Sequence, residues 1–261
     1  GTAVLENGAT ARTANFTVGN DNDFQSGLGL LVFNTAISQT GAGAVAVQKN
    51  NGGVLVFKAD NTYAGNTTIT QGRLVVAHEG AAGNAGSTIS LTANSDRRAE
   101  LDFRLDGSGP FVIDNNIATA GGNDGSLRMI TVGSLTGLSS NQEVRIASLT
   151  SNAAGATTTG NNASAIWFDG FNGYRLTVSG ATTLTRTLTD FRTRGSLLTL
   201  EGIVGGAGAL NKYEQGTLVL SNNNTYTGAT ATYNGYLVLG HDNALGNTTS
   251  TVTFNGGAFS Q

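Results

Sequence analysis

Cysteine is absent from the 261-residue sequence, and proline occurs once. Without thiols there is no disulfide framework, so a chain this long must be held by a buried core and by backbone pairing. One proline excludes collagen-like and polyproline architecture. Charge is scarce too. Charged residues make up 12%, against roughly 25% in soluble domains. The balance of 14 basic and 17 acidic residues gives a net charge of −3, so there is no cationic footprint for nucleic acid and no such partner is expected. No apolar run reaches the eighteen or so residues of a membrane helix, and no signal peptide opens the chain. The segment itself is therefore not expected to be membrane-embedded.

What is abundant is glycine, 38 residues, together with 39% hydrophobic residues. The apolar content argues against disorder. Many glycines without prolines imply many tight turns between paired strands, hence an all-β fold. Helical periodicity is missing, and short β-rich runs recur between Gly, Asn, Asp and Ser. Val54-Leu-Val-Phe57, Arg73-Leu-Val-Val76, Leu197-Leu-Thr-Leu200, Thr217-Leu-Val-Leu220 and Tyr236-Leu-Val-Leu239 are the clearest. Residues 98–106 alternate strictly, with Ala99, Leu101, Phe103 and Leu105 on one face and Arg98, Glu100, Asp102, Arg104 and Asp106 on the other.

An internal repeat organises the chain. Residues 49–84 align without gaps onto 212–247, an offset of 163. Identities include Lys49/Lys212, Gly53/Gly216, Leu55/Leu218, Asn61/Asn224, Tyr63/Tyr226, Gly72/Gly235, His78/His241 and Gly83/Gly246. Upstream, Asp23-Phe24 matches Asp190-Phe191 with small insertions. Within the copies a finer period shows: Leu198, Leu218 and Leu237 are 20 and then 19 residues apart, and Leu31, Leu55 and Leu74 are 24 and then 19 apart. A period near twenty suits one coil of a β-solenoid, in which equivalent side chains stack about 4.8 Å apart. The expectation is a right-handed parallel β-helix with coils of roughly 20–24 residues. It forms one segment over 1–261: copy one about 23–94, irregular insert-bearing coils about 95–189, copy two about 190–257. The competing architecture is an antiparallel sandwich, signalled by Asn234-Gly235 as a hairpin turn. The first copy has Gln71-Gly72 there, and a solenoid corner needs only the shared glycine.

The segments Gly208-Ala-Leu-Asn-Lys212, Gly216-Thr-Leu-Val-Leu-Ser221, Asn224-Thr-Tyr-Thr-Gly228, Gly235-Tyr-Leu-Val-Leu-Gly240 and Ala244-Leu-Gly246 resemble the autotransporter-associated β-strand repeat, or passenger-associated transport repeat. The first copy is looser, with Ala64 for Thr227 and Ala82 for Leu245. The resemblance implies a parallel β-helix exported to a Gram-negative cell surface, a signal peptide upstream, and an outer-membrane β-barrel downstream. In that family the repeats aid folding during translocation, and the leading reading here is a non-catalytic stalk that aids secretion and folding while displaying an adhesive surface, with a host-cell surface protein or glycan as partner class. Two alternatives stand beside it: a released effector acting on host receptors, and a polysaccharide-active β-helix enzyme.

Candidate chemistry is thin. His78 and His241 sit at equivalent repeat positions, on the order of 35–40 Å apart if every coil had twenty residues. They are read as turn residues, and with no cysteine no zinc site and no cofactor is expected. Asp96, Glu100, Asp102 and Asp106 form the densest acidic group, but Arg97, Arg98 and Arg104 interleave as in a self-neutralising solvated face. Asn20-Asp-Asn-Asp23 hints at calcium without completing a loop motif. Gly205-Gly-Ala-Gly208 reads as a corner. The candidate binding residues are the aromatics Trp167, Phe168, Phe171 and Tyr174. On a loop they would make a glycan or protein contact; stacked inside a coil they would be core, which alternation around the glycines fits equally well and which is the favoured reading.

Overall fold

Apolar residues that alternate between glycine corners become strands that all run the same way. In the computed structural model, which describes residues 3–6, 10–19, 29–93, 97–120, 127–152, 165–247 and 249–260, every strand pairing is parallel. From Val45–Asn50 on, the chain passes back and forth between a ten-stranded and a thirteen-stranded sheet, and each strand pairs with those one coil before and after. That is a parallel β-helix. The antiparallel alternative is excluded, and Gly72 and Gly235 are corner residues with φ of 76° and 68°.

The recurring leucines stack as the period demands. On the ten-stranded sheet one inward column runs Leu31, Leu55, Leu74, Leu101, Ile130, Phe168. On the other sheet Val144, Leu176, Leu198, Leu218 and Leu237 form a second column. All but Leu31 are buried. Coils within the copies keep the 19–24-residue spacing. Those between do not: Leu74 to Leu101, Leu101 to Ile130 and Ile130 to Phe168 are steps of 27, 29 and 38 residues. Part of the extra length leaves the coil at a corner, in the loop 134–142 whose Leu138 is 90% exposed, and the pairing of Phe111–Ala120 with Glu143–Asn152 continues across one register shift between Ile113 and Asn116.

Strand Glu143–Asn152 pairs with Arg175–Val178 through its first half and with Thr182–Leu184 through its second. The thirteen-stranded sheet therefore supplies two faces, and a full coil has three. The two repeat copies fall on different ones. The lysine-bearing strand Val45–Asn50 belongs to the thirteen-stranded sheet, whereas its counterpart Ala209–Tyr213 belongs to the ten-stranded sheet. An offset of 163 residues is thus six coils and one face, about 30 Å of rise. The histidines are closer along the axis than twenty-residue coils would put them, because the intervening coils are longer and fewer.

The column predicts its own energetics. Leu218→Ala should lower stability by about 2–5 kcal/mol through lost burial and a cavity. Leu138→Ala at the loop tip should change it by less than about 0.5 kcal/mol. Urea unfolding followed by far-ultraviolet circular dichroism measures both.

Candidate functional site

The repeat motif is a set of polar corner devices. Lys49 and Lys212 point inward and are fully buried. Each ammonium has three donors, and each finds three backbone carbonyls. Lys49 Nζ donates to Asn50, Asn51 and Gln71 at 2.7, 2.6 and 3.1 Å. Lys212 Nζ donates to Tyr213, Glu214 and Asn234 at 2.7, 2.7 and 3.1 Å. Asn51 and Glu214 hold the left-handed conformation there, φ 61° and 67°, which costs non-glycine residues energy; the lysine gathers the carbonyls of that turn. A Cβ on Gly72 or Gly235 would strike the backbone of the same turn.

Asn61 and Asn224 bridge three successive coils. The Asn61 side chain accepts from Ile37 N at 2.7 Å and donates to Ala81 O at 2.6 Å; Asn224 accepts from Val204 N at 2.8 Å and donates to Ala244 O at 2.6 Å. The buried hydroxyls of Tyr63 and Tyr226 pair with Thr67 and Thr230 at 2.7 and 2.6 Å, and Gly83 and Gly246 lie against the two tyrosine rings. His78 and His241 are turn residues whose Nδ1 accepts from Gly80 N and Asn243 N. Gly205-Gly206 is not only a corner: Val204–Gly206 is a short strand paired with Thr182–Leu184.

The outer face of the ten-stranded sheet carries a concentration of charged and aromatic side chains. One register column runs Arg73, Glu100, Met129, Trp167, Arg192, Tyr213. Strand spacing near 4.8 Å is close to planar stacking distance, and the groups stack accordingly. The Arg192 guanidinium lies 4.9 Å from the Trp167 ring and 4.7 Å from the Tyr213 ring. Arg194 lies 4.2 Å from Trp167, and Tyr213 stacks on Tyr233 at 4.2 Å and 2°.

The four aromatic candidates divide by the pleat. Trp167 faces outward, partly exposed, while Phe168 is buried. Beyond strand Ala165–Gly170 a turn with Asn172 and Gly173 at positive φ leaves Phe171 41% exposed under Arg104, 4.7 Å away. Tyr174 returns to the core, donating its hydroxyl to Leu105 O at 2.5 Å and stacking on Phe111. Trp167 and Phe171 are thus surface, Phe168 and Tyr174 core. Arg192, Arg194, Tyr213 and Tyr233 escaped the sequence reading because only register between distant coils joins them to Trp167. The lysines left a signal: two of the three lysines share one repeat position on an inward parity.

The acidic group is self-neutralised as expected, but buried rather than solvated. Glu100 and Asp102 are 3% and 1% exposed. Arg73 and Arg98 hold Glu100 at 2.9 and 2.6 Å, Arg104 holds Asp102 at 2.7 Å, and the Thr131 hydroxyl lies 2.6 Å from Asp102. Asp106 stands apart. Burial would raise its pKa, but hydrogen bonds from Ser134, Thr136 and Leu135 outweigh that and hold it below the usual carboxylate range. Asp96 and the Asn20–Asp23 run lie outside the described residues.

A parallel β-helix stitched by a twice-used lysine–asparagine–tyrosine corner is a repeat-built solenoid. The family model of the passenger-associated transport repeat matches residues 47–76 and 210–258, the corner-bearing coils. The match supports an autotransporter passenger carrying these repeats, and with it a secreted, cell-surface location. It is similar to the adhesin BmaC autotransporter of Brucella suis biovar 1 (strain 1330), at 28% identity over 251 residues covering 79% of this chain. The chain spans 7% of that relative's length. No solved structure matches.

Burial pushes both corner lysines from the usual 10.5 down to about 8. Between about pH 8 and 10 the unfolded chain therefore binds more protons than the folded one, and stability should rise with pH. Above about pH 10 the sign reverses. Burial raises the pKa of Tyr63 and pushes that of Tyr226 up to about 12, so the fold keeps protons the unfolded chain has lost. Urea midpoints should peak near pH 10, and the Lys49→Met/Lys212→Met variant should lack the rise from pH 8.

Proposed function

We propose that this chain is a non-catalytic segment of a secreted passenger, a single β-helical stalk that helps its own export and presents an adhesive face to a host-cell surface protein or glycan. The observation that carries the reading is the register-built column of arginine and aromatic side chains on the outer face of the ten-stranded sheet. Trp, Tyr and Arg are the residue types that dominate binding hot spots, and here they are held rigid by each other, which lowers the entropy lost on contact. Similarity to an autotransporter adhesin supports the same reading. A non-catalytic role is supported by Glu100 and Asp102, whose carboxylates are taken up by arginines rather than aimed at a substrate. Stacked coils contact only their neighbours, so folding can propagate from one end as the chain emerges.

Binding of the purified chain to host cells and to a glycan array tests the adhesive face. Trp167→Ala and Arg194→Ala should each weaken binding about tenfold or more, while Thr183→Ala on the thirteen-stranded sheet should not. Binding untouched by both ladder variants would refute the assignment of this face. Deleting residues 208–246 from the intact passenger should slow its secretion.

A further inference from the structure

Towards the first coils, the same outer face changes character. The column beside the arginine–aromatic ladder runs Val32, Val56, Val75, Asp102. These three valines face outward, yet Val56 and Val75 are nearly buried, because longer side chains stand on either side of them. They floor a groove of 360 Å³ along the solenoid axis. Arg73 lines one side, Lys58 and Arg104 the other; Leu30, 66% exposed, stands at the first coil, and Leu135 of the loop 134–142 stands at the far end. An outward face of a β-helix is expected to be polar, and the corresponding column further along carries Thr131, Asp169 and Arg194.

The charges around this apolar floor are unequal. Three cations line it against one carboxylate, Asp102, which is already bonded by Arg104 and Thr131. Arg73 and Arg104 are engaged with Glu100 and Asp102. The Lys58 ammonium is exposed and has no ion pair or hydrogen bond among the described residues. An apolar floor with one unpaired cation, Lys58, on its wall matches a ligand that is aliphatic along its length and anionic at one end. Glycans are poorly matched to a valine floor, and the volume is at the low end of the roughly 300–1,000 Å³ of small-molecule sites, too little for a folded partner.

We propose that this groove is a binding site for a medium-chain aliphatic carboxylate, its chain lying over Val32, Val56 and Val75 and its carboxylate held by Lys58 and the adjoining guanidiniums. The proposal is independent of the adhesive face, since it uses neither Trp167 nor its stacked partners.

Laurate below its micellar concentration is the probe. Titration calorimetry on the full 261-residue chain should show one saturable site. Lys58→Met should weaken it about tenfold by removing the unpaired charge, and Leu30→Ser/Leu135→Ser should do the same by removing apolar wall. All three side chains are exposed, so far-ultraviolet circular dichroism of the variants should match the parent chain. Neutral dodecyl maltoside should not compete. A second readout uses the lysine count. The chain has three lysines, and Lys49 and Lys212 are buried, so an amine-acylating reagent followed by peptide mapping reports on Lys58 alone among them. Laurate should protect it. Absence of saturable binding overturns the proposal, as does binding that survives both variants and leaves Lys58 acylation unchanged.

Discussion

Parallel hydrogen bonding between successive coils is the constraint on which the rest of this molecule depends. Once two coils pair in register, every side chain has its counterpart about 4.8 Å along the axis, so each position becomes part of a column. Inside, columns of leucine, valine and isoleucine add up to a continuous core that no single coil could bury. Outside, the same rule brings Arg73, Glu100, Met129, Trp167, Arg192 and Tyr213 into one line although they span 140 residues.

Corners are where a solenoid is at risk, because the backbone leaves its ladder and its polar groups lose their strand partners. The repeat answers this with buried side chains that serve the backbone. Asn61 and Asn224 each accept one hydrogen bond from the coil before and donate one to a carbonyl on the coil after. Lys49 and Lys212 collect three carbonyls each, two from their own turn and one from the next coil. A buried ammonium is costly unless every proton is matched, and here every proton is. With these contacts made by short-range neighbours, the motif works on whichever face it falls, and the two copies do occupy different faces.

The outer surface of the ten-stranded sheet is divided along the axis by the same columns. The later coils stack planar groups, guanidinium on indole and phenol on phenol. In the middle, Glu100 and Asp102 are sheathed by arginines. The earliest coils line up valines instead, leaving an open apolar groove beside Lys58. One sheet thus presents three chemistries in sequence, each made uniform by register.

Much of this was legible in the residues. The leucine spacing of 19–24 marked the columns that stack, the shared glycine at 72 and 235 marked corners rather than hairpins, and the alternation through 98–106 separated core from charge. Those features are local, repeating within one coil or between adjacent ones, and a local period survives in a linear sequence. What only the tertiary structure decided depends on length accumulated between distant residues. The 27-, 29- and 38-residue coils set how far the second copy is turned, which coils bring Arg192 and Tyr213 onto Trp167, and which outward valines meet Lys58. Composition carries no record of that sum: a loop of any length can leave a corner and return, and only the paired backbone says where it comes back.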